Sequence, residues 1–195
     1  MKQIKICLIG FSLFFALTSQ AQITEIETVN DSTFIFHSKG KNMVSVLTGG
    51  FLTEDAFFEY YAFRYGKLLT NRILVGGELG RSWFGEWERT NHIGIYSRYY
   101  YAVFNHFSYY ADAQYLFGYR IYDNHQTASN WNGRTNNFAA NLGIAFTGFY
   151  KKRFGLEFFA GYAFNRLHIR NHPAFGEYNW SKSDIGYGFQ INYHF

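Results

Sequence analysis

The sequence predicts an all-β fold: a transmembrane, antiparallel, up-and-down β-barrel of about eight strands, preceded by a cleaved signal peptide. The first observation is the alternation in the last stretch, from Ser183 to Phe195. Small or polar residues there alternate with apolar or aromatic ones, which are Ile185, Tyr187, Phe189, Ile191, Tyr193 and Phe195. A period of two places these side chains on one face of a strand. Membrane barrels need such strands, with lipid-facing and lumen-facing residues in alternation.

The second observation is the composition. The chain has 23 Phe, 17 Tyr and 4 Trp, which make up 23% of its residues, and a single proline. Beyond the N-terminal segment, no apolar run approaches the ~20 residues that a membrane helix needs. Aromatic residues are typical of the two interfacial girdles of a membrane barrel. The composition therefore favours a membrane barrel over a soluble sandwich or a lipocalin-like barrel.

The third observation is the spacing of the strands, of which we predict eight. Their predicted bounds are Asn42–Leu52, Ala56–Gly66, Ile73–Phe84, Asn91–Phe104, Phe107–Ile121, Phe138–Tyr150, Phe154–Asn165 and Ser183–Phe195. Short turns and longer connections alternate, and the two longest connections are Tyr122–Asn136 and Leu167–Lys182. Outer-membrane barrels have short periplasmic turns and longer extracellular loops. We therefore predict that these two segments are extracellular loops that carry any specific recognition.

The N-terminus has the features of an export signal. Two lysines precede an apolar run from Ile6 to Leu17, and Ser19–Ala21 offers small residues for cleavage after residue 21. We expect residues 1–21 to be a signal peptide, residues 22–41 an N-terminal periplasmic extension, and residues 42–195 the barrel. The predicted location is the outer membrane of a Gram-negative bacterium.

Charge and cysteine usage exclude several function classes. The chain has 18 Lys and Arg against 14 Asp and Glu, and its only cysteine, Cys7, lies in the predicted signal. No basic stripe, phosphate-binding glycine loop or Cys/His cluster is present, so we expect no nucleic-acid partner and no cofactor. Without a second cysteine, no disulfide is expected either.

Strand parity is clear for the last six strands and ambiguous for the first two. In the first strand, Val44 and Val46 are predicted to face outward. In the second, we place Glu59 inside and Arg64 near the headgroups. In the later strands, the inward set includes Glu78, His92, Tyr96, Arg98, Tyr100, Asp112, Gln114, Arg120, Asn141 and Glu157.

Several stretches resemble the small outer-membrane β-barrel domains of Gram-negative bacteria, the OmpA-type and OmpX-type barrels. They are Tyr65–Arg72 leading into Ile73–Leu79, Arg98–Tyr101, Phe154–Glu157 and Asn192–Phe195. The resemblance covers nearly all of residues 42–195 and implies a fold, not a chemistry. It also implies that Tyr193 and Phe195 belong to a terminal signal read by the barrel-assembly machinery. Outer-membrane lipid and lipopolysaccharide are the other implied partners, with an unknown extracellular ligand.

The inward charges predict an interior polar network of Glu78, Arg98, Asp112 and Glu157. With a three-residue turn centred on Asn105, Arg98 falls opposite Asp112. Directly opposed side chains in a sheet lie ~5 Å apart, where opposite charges attract. Glu78 is expected on the other side of Arg98, so that two carboxylates flank one guanidinium.

The sequence leaves three alternatives to a structural or surface-interaction role. His125, His168 and His172 could bind a metal, although loop spacing does not fix their geometry. A lipid A-modifying enzyme would need groups such as Asp123, His125 and Ser129, or a His-x-Ser pair. The adjacent residues His37 and Ser38 do not form such a pair.

A narrow pore is the third alternative, but a barrel of eight strands is only wide enough for side chains to fill. We therefore predict a non-enzymatic barrel with a filled lumen and with no catalytic, cofactor or metal site.

Overall fold

The computed structural model describes residues 39–52, 57–103, 107–124, 129–148, 153–172, 174 and 176–195. The predicted signal peptide and nearly all of the predicted extension lie outside these residues. Within the described residues, no helix is both long enough and apolar enough to span a membrane.

Eight antiparallel strands form a closed barrel in chain order, and the first strand pairs with the last. They are β1 (Asn42–Leu52), β2 (Phe57–Leu68), β3 (Ile73–Phe84), β4 (Glu88–Val103), β5 (Phe107–Asn124), β6 (Ser129–Gly148), β7 (Phe154–His172) and β8 (Gly176–His194). Over the height of β1, the barrel wall therefore has no exposed sheet edge. The predicted fold class is confirmed.

The outward face carries a continuous apolar belt. Its most exposed members include Ile95 at 67%, Val46 at 63% and Ile185 at 60%. Phe and Tyr side chains occupy much of the rest of the belt, for example Phe138, Phe164, Tyr119 and Tyr162. So much exposed apolar surface is stable against hydrocarbon rather than against water.

The last four strands are the longest, and each exceeds its predicted length by three to seven residues. Strands β5, β6, β7 and β8 have 18, 20, 19 and 19 residues, whereas β1, β2 and β3 have 11 or 12. The prediction that Tyr122–Asn136 and Leu167–Lys182 are long loops is therefore wrong. Both segments are mostly strand, because backbone pairing continues after the outward residues turn polar.

The extra length lies at one end of the barrel. Leu52, the last residue of β1, pairs with Ile185 of β8, so residues 176–184 of β8 extend beyond β1. This extension adds about 30 Å of strand at 3.3 Å per residue. We call the parts of β5–β8 that extend beyond β1–β3 the extracellular wall. The opposite end of the barrel has the chain termini and short turns, and that end is periplasmic in such barrels.

The second strand has the opposite parity to the one predicted. Arg64 is 1% exposed and points into the barrel, whereas Glu59 is exposed on the outer face. Arg64 lies opposite Glu78 in the β2–β3 register, so the guanidinium meets a carboxylate inside. The parity predicted for β1 is correct: Val46 is exposed, and Met43 and Leu47 are buried.

Inward glycines make room for the large inward side chains. A Cβ on Gly76 would lie 2.7 Å from Cε1 of Tyr96, and one on Gly66 would lie 2.6 Å from the Tyr96 hydroxyl. A Cβ on Gly143 would meet the ring of Tyr110 in the same way. The narrow lumen therefore holds full aromatic rings because the facing positions have no side chain.

Candidate functional site

The interior of the barrel has three levels, and the middle one is an ionic network. Two arginines, Arg64 and Arg98, are 1% and 0% exposed. Three carboxylates surround them, those of Glu78, Asp112 and Glu157. Every one of these side chains is nearly inaccessible to solvent, so the charges must be compensated by one another.

Arg98 is the more deeply buried cation. Its Nη2 lies 3.0 Å from Oδ2 of Asp112, and its Nη1 donates a short hydrogen bond to Oε2 of Glu157. The guanidinium carbon lies 3.9 Å from the centre of the Tyr110 ring. Two anions and one aromatic face thus replace the water that a guanidinium would otherwise bind.

Arg64 connects the network to the other side of the lumen. Its Nε lies 2.5 Å from Oε2 of Glu78, and its Nη1 lies 3.5 Å from Oδ2 of Asp112. The same guanidinium donates hydrogen bonds to the side-chain oxygens of Gln114 and Gln190. Asp112 therefore bridges the two arginines, and the network spans the whole lumen.

Neutral side chains complete the hydrogen bonding of the carboxylates. Asn141 donates to Asp112 at 2.7 Å, and Gln190 donates to Glu157 at 2.6 Å. The Tyr60 hydroxyl donates to Glu78, and the Tyr60 ring stacks on His92 with centroids 4.9 Å apart. Hydrogen bonds to charged groups are the stronger kind, so these contacts add rigidity as well as solvation.

The register of Arg98 and Asp112 matches the predicted one, but the hairpin differs. These residues are direct partners between β4 and β5, as expected. However, Val103 pairs with Ser108 rather than with Phe107, because a bulge lies between Tyr100 and Ala102. The extra residue in β4 offsets the longer turn, so the register at Arg98 is unchanged.

The predicted contact between Glu78 and Arg98 is wrong. Glu78 pairs with Gly94 in the β3–β4 register, while Arg98 pairs with Leu74 four residues away. Glu78 instead contacts Arg64, which the sequence analysis had placed outside. Glu157 takes the second position beside Arg98.

The level nearest the periplasm is closed by apolar and aromatic side chains. Met43, Leu68, Leu74, Tyr96, Tyr100, Tyr110 and Ala145 form one buried cluster, with Phe159 packed against it. Contributions come from six consecutive strands. This cluster fills the lumen below the ionic network.

The level nearest the outside is an open cavity of about 50 Å³. A hydrogen-bonded row crosses three strands there, from Asn137 to Asn165 and from Asn165 to Asp184, the second at 3.1 Å. On the facing wall, Nη1 of Arg120 lies 2.9 Å from Oε1 of Glu88. The volume is enough for a few water molecules, and the lining is polar enough to hold them.

The inner face of the extracellular wall carries a row of rings. Tyr122 stacks on Trp131 with centroids 5.2 Å apart and planes at 5°. Trp131 lies 6.1 Å from His172, which lies 6.0 Å from Tyr178. These residues come from all four strands of the wall, so ring contacts tie the long hairpins together above the cavity.

The groups considered for metal or lipid chemistry are not brought together in the described part of the chain. His168 and His172 are there, but no cluster of three potential metal ligands occurs among the described residues. His37, Ser38 and His125 lie outside those residues. Asp123 pairs with Asn130 in the β5–β6 register.

The two ends of residues 42–195 meet where the barrel closes. The backbone nitrogen of Phe195 donates to the carbonyl of Asn42 at 3.0 Å, and the reverse bond is 2.9 Å. Phe195 is 51% exposed and stacks on Tyr193, whose hydroxyl accepts from Arg153. These contacts hold a pair of rings on the outer face at the periplasmic rim.

Deleting Phe195 should reduce barrel insertion, because it removes both the closing backbone bonds and the terminal ring. Export across the inner membrane should be unchanged. The measurement is the heat-modifiable electrophoretic migration of the protein in outer-membrane fractions. Replacing Phe195 by Tyr, which keeps an aromatic ring and the backbone, should preserve insertion. Full insertion of the shortened chain would contradict an assembly role.

Comparison with solved structures supports this architecture. The Neisserial surface protein A (NspA) matches with a TM-score of 0.56 and 13% identity over 80% of this chain and 96% of that one. The fold is that of a small outer-membrane β-barrel. The N-terminal barrel domain of Pseudomonas aeruginosa OprF matches with a TM-score of 0.47, at 14% identity over 80% of this chain and 98% of that one. The outer-membrane protein AlkL matches with a TM-score of 0.42, at 12% identity over 81% and 91%. No protein-family model and no curated protein matches the chain.

Proposed function

We propose that this chain is a non-enzymatic outer-membrane barrel whose lumen is closed to solutes and whose extracellular wall is its interaction surface. The observation that carries the proposal is the filled interior. An ionic network spans the lumen through Arg64 and Arg98, and an apolar cluster seals it below. A permeating ion would have to separate at least one of these buried pairs.

The energetic argument is that the network resists opening. Breaking a buried ion pair leaves an uncompensated charge, which costs about 3–5 kcal/mol. Asp112 contacts both arginines, so displacing its carboxylate disrupts two pairs at once. The network is therefore suited to hold the barrel rigid and shut, in agreement with the small lumen of eight-stranded barrels.

The extracellular wall supports the second part of the proposal. Rings on its inner face brace four long strands, so the wall is a rigid platform outside the membrane. Rigid elements position contact residues better than free loops do. Recognition by this protein would therefore use strand faces of β5–β8 in addition to the hairpin tips.

Single-channel recording tests the closed lumen. The purified protein, inserted into planar bilayers, should produce no discrete conductance steps, while heat-modifiable migration confirms that the same preparation is folded. A matched variant, Arg64→Ala with Arg98→Ala, removes both guanidinium groups and should increase ion leakage if it folds. Reproducible steps from the unmodified protein would contradict a closed lumen.

Lipid A analysis tests the non-enzymatic part of the proposal. Mass spectra of lipid A from cells with and without the gene product should show the same acyl chains. A gained or lost acyl chain that depends on the protein would identify a lipid-modifying enzyme instead.

A further inference from the structure

The outer face of the extracellular wall carries a compact group of basic side chains. Arg134 of β6 lies directly opposite His168 of β7. Arg166 and Arg170 lie two residues to either side of His168 on the same strand. Arg166 pairs with Asn136 and is thus a diagonal neighbour of Arg134, and Arg170 follows Ile169, the last residue of β7 that pairs with β6. Directly opposed and diagonal side chains in a sheet lie about 5 and 7–8 Å apart. We call these four residues the basic patch.

The three arginines of the patch have no anionic partner in the described part of the chain. Inside the barrel, by contrast, each arginine contacts a carboxylate: Arg64, Arg98 and Arg120 all form ion pairs. A carboxylate lies beside the histidine of the patch: Oε1 of Glu177 is 3.8 Å from Nδ1 of His168. Like charges at this spacing repel each other, so the arrangement favours an external anion.

The patch also lies at a particular height. Arg166 follows Phe164 by two residues on the outer face of β7, and Arg134 pairs with Tyr119 of β5. Phe164 and Tyr119 are 46% and 44% exposed and belong to the upper edge of the apolar belt. Aromatic residues at that edge mark the membrane interface. The guanidinium groups are therefore at the level of lipid headgroups.

The outer face around and beyond the patch is polar. Beyond the patch, Asn130 and Asn132 are exposed on β6, and beside it the exposed Asn179 and Ser181 of β8 lie opposite His168 and Arg166. Amides and hydroxyls of this kind donate to and accept from sugar hydroxyls. A lipid whose phosphates are followed by sugars would contact both the arginines and this higher surface, whereas a phospholipid headgroup would reach only the arginines.

We propose that the basic patch is a binding site for the phosphate groups of a phosphorylated glycolipid of the outer leaflet. Arg134, Arg166 and Arg170 bind the phosphates, since guanidinium groups bind phosphate oxygens in bidentate fashion. The acyl chains of that lipid lie against the apolar belt below. This inference rests on the proposed outer-membrane location, and it adds a specific lipid site to it.

The test compares lipids on one folded protein. The detergent-solubilised protein is titrated with bis-phosphorylated lipid A, with dephosphorylated lipid A and with phosphatidylglycerol, and bound lipid is counted by native mass spectrometry. Bis-phosphorylated lipid A should bind most tightly. Equal retention of the dephosphorylated form would overturn the phosphate site, and equal retention of phosphatidylglycerol would overturn the assignment to a glycolipid.

A charge-matched pair of variants locates the site. Arg134→Gln, Arg166→Gln and Arg170→Gln together should weaken binding by about 100-fold, since each arginine near an anionic lipid surface contributes about five-fold. The control variant, Lys67→Gln with Arg72→Gln and Arg153→Gln, removes the same charge at the periplasmic end and should retain binding. Equal loss in both variants would overturn the location.

Heat-modifiable migration separately reports whether each protein is a folded barrel. Failure of the unmodified protein to insert into membranes would contradict the proposed function itself, independently of the lipid site.

Discussion

Arg98→Met should destabilise the barrel by about 3–5 kcal/mol, which is the usual cost of leaving a buried charge without its partner. Methionine fills much of the volume of the arginine side chain, so the change removes the charge with little new cavity. Asp112 and Glu157 would then face each other without the guanidinium that separates them. Asp112 keeps its 3.5 Å contact to Arg64, so Glu157 loses more of the positive charge that compensates it than Asp112 does.

The measurement is the free energy of unfolding in urea, with the protein in detergent micelles or lipid vesicles. Arg153→Met is the matched control, because Arg153 is exposed at the periplasmic rim and its loss should change stability by less than about 1 kcal/mol. A second variant, Arg98→Met with Glu157→Gln, removes one of the two uncompensated carboxylates and should recover part of the loss. If the double variant is no more stable than Arg98→Met, the two side chains do not interact energetically.

The fold was predictable because alternation depends only on which face meets lipid. From Ile73 onward, outward apolar residues and inward polar residues follow a period of two, and the structure has the same parity. Strand ends were less predictable. Above the belt the alternation is inverted: Arg166 and Arg170 are exposed on the outer face of β7, whereas Leu167 and Ile169 are buried on its inner face. The outward apolar residues used to recognise a membrane strand are therefore missing there, while the backbone pairing continues.

The positions within the candidate site were harder to predict than its composition. Arg64 lies between Phe63 and Tyr65, and this alternation is consistent with an inward Arg64 and outward aromatic rings. Glu59 was an equally plausible inward charge, but an inward Glu59 requires the opposite strand parity. Only the register with β3, which puts Arg64 opposite Glu78, selects between them. The contact between Arg98 and Glu157 joins β4 to β7 across the lumen, and no hairpin count relates those strands.

Leu142→Arg should destabilise the barrel by about 2–4 kcal/mol, because it places a charge on the lipid face near the middle of the membrane. The outward apolar residues of β6 run from Phe138 to Phe146, and Leu142, which is 56% exposed, is the central one. Asn132→Arg is the control on the same face of the same strand. It lies about 33 Å further along the strand, beyond the apolar belt. Its cost should therefore be at most about 1 kcal/mol, as for charges near the interface.

The measurement is the free energy of unfolding of both variants in vesicles of one lipid. In detergent micelles, which adapt their shape to the protein, the difference between the variants should shrink. Equal stability of the two variants in vesicles would mean that the band around Leu142 does not face hydrocarbon.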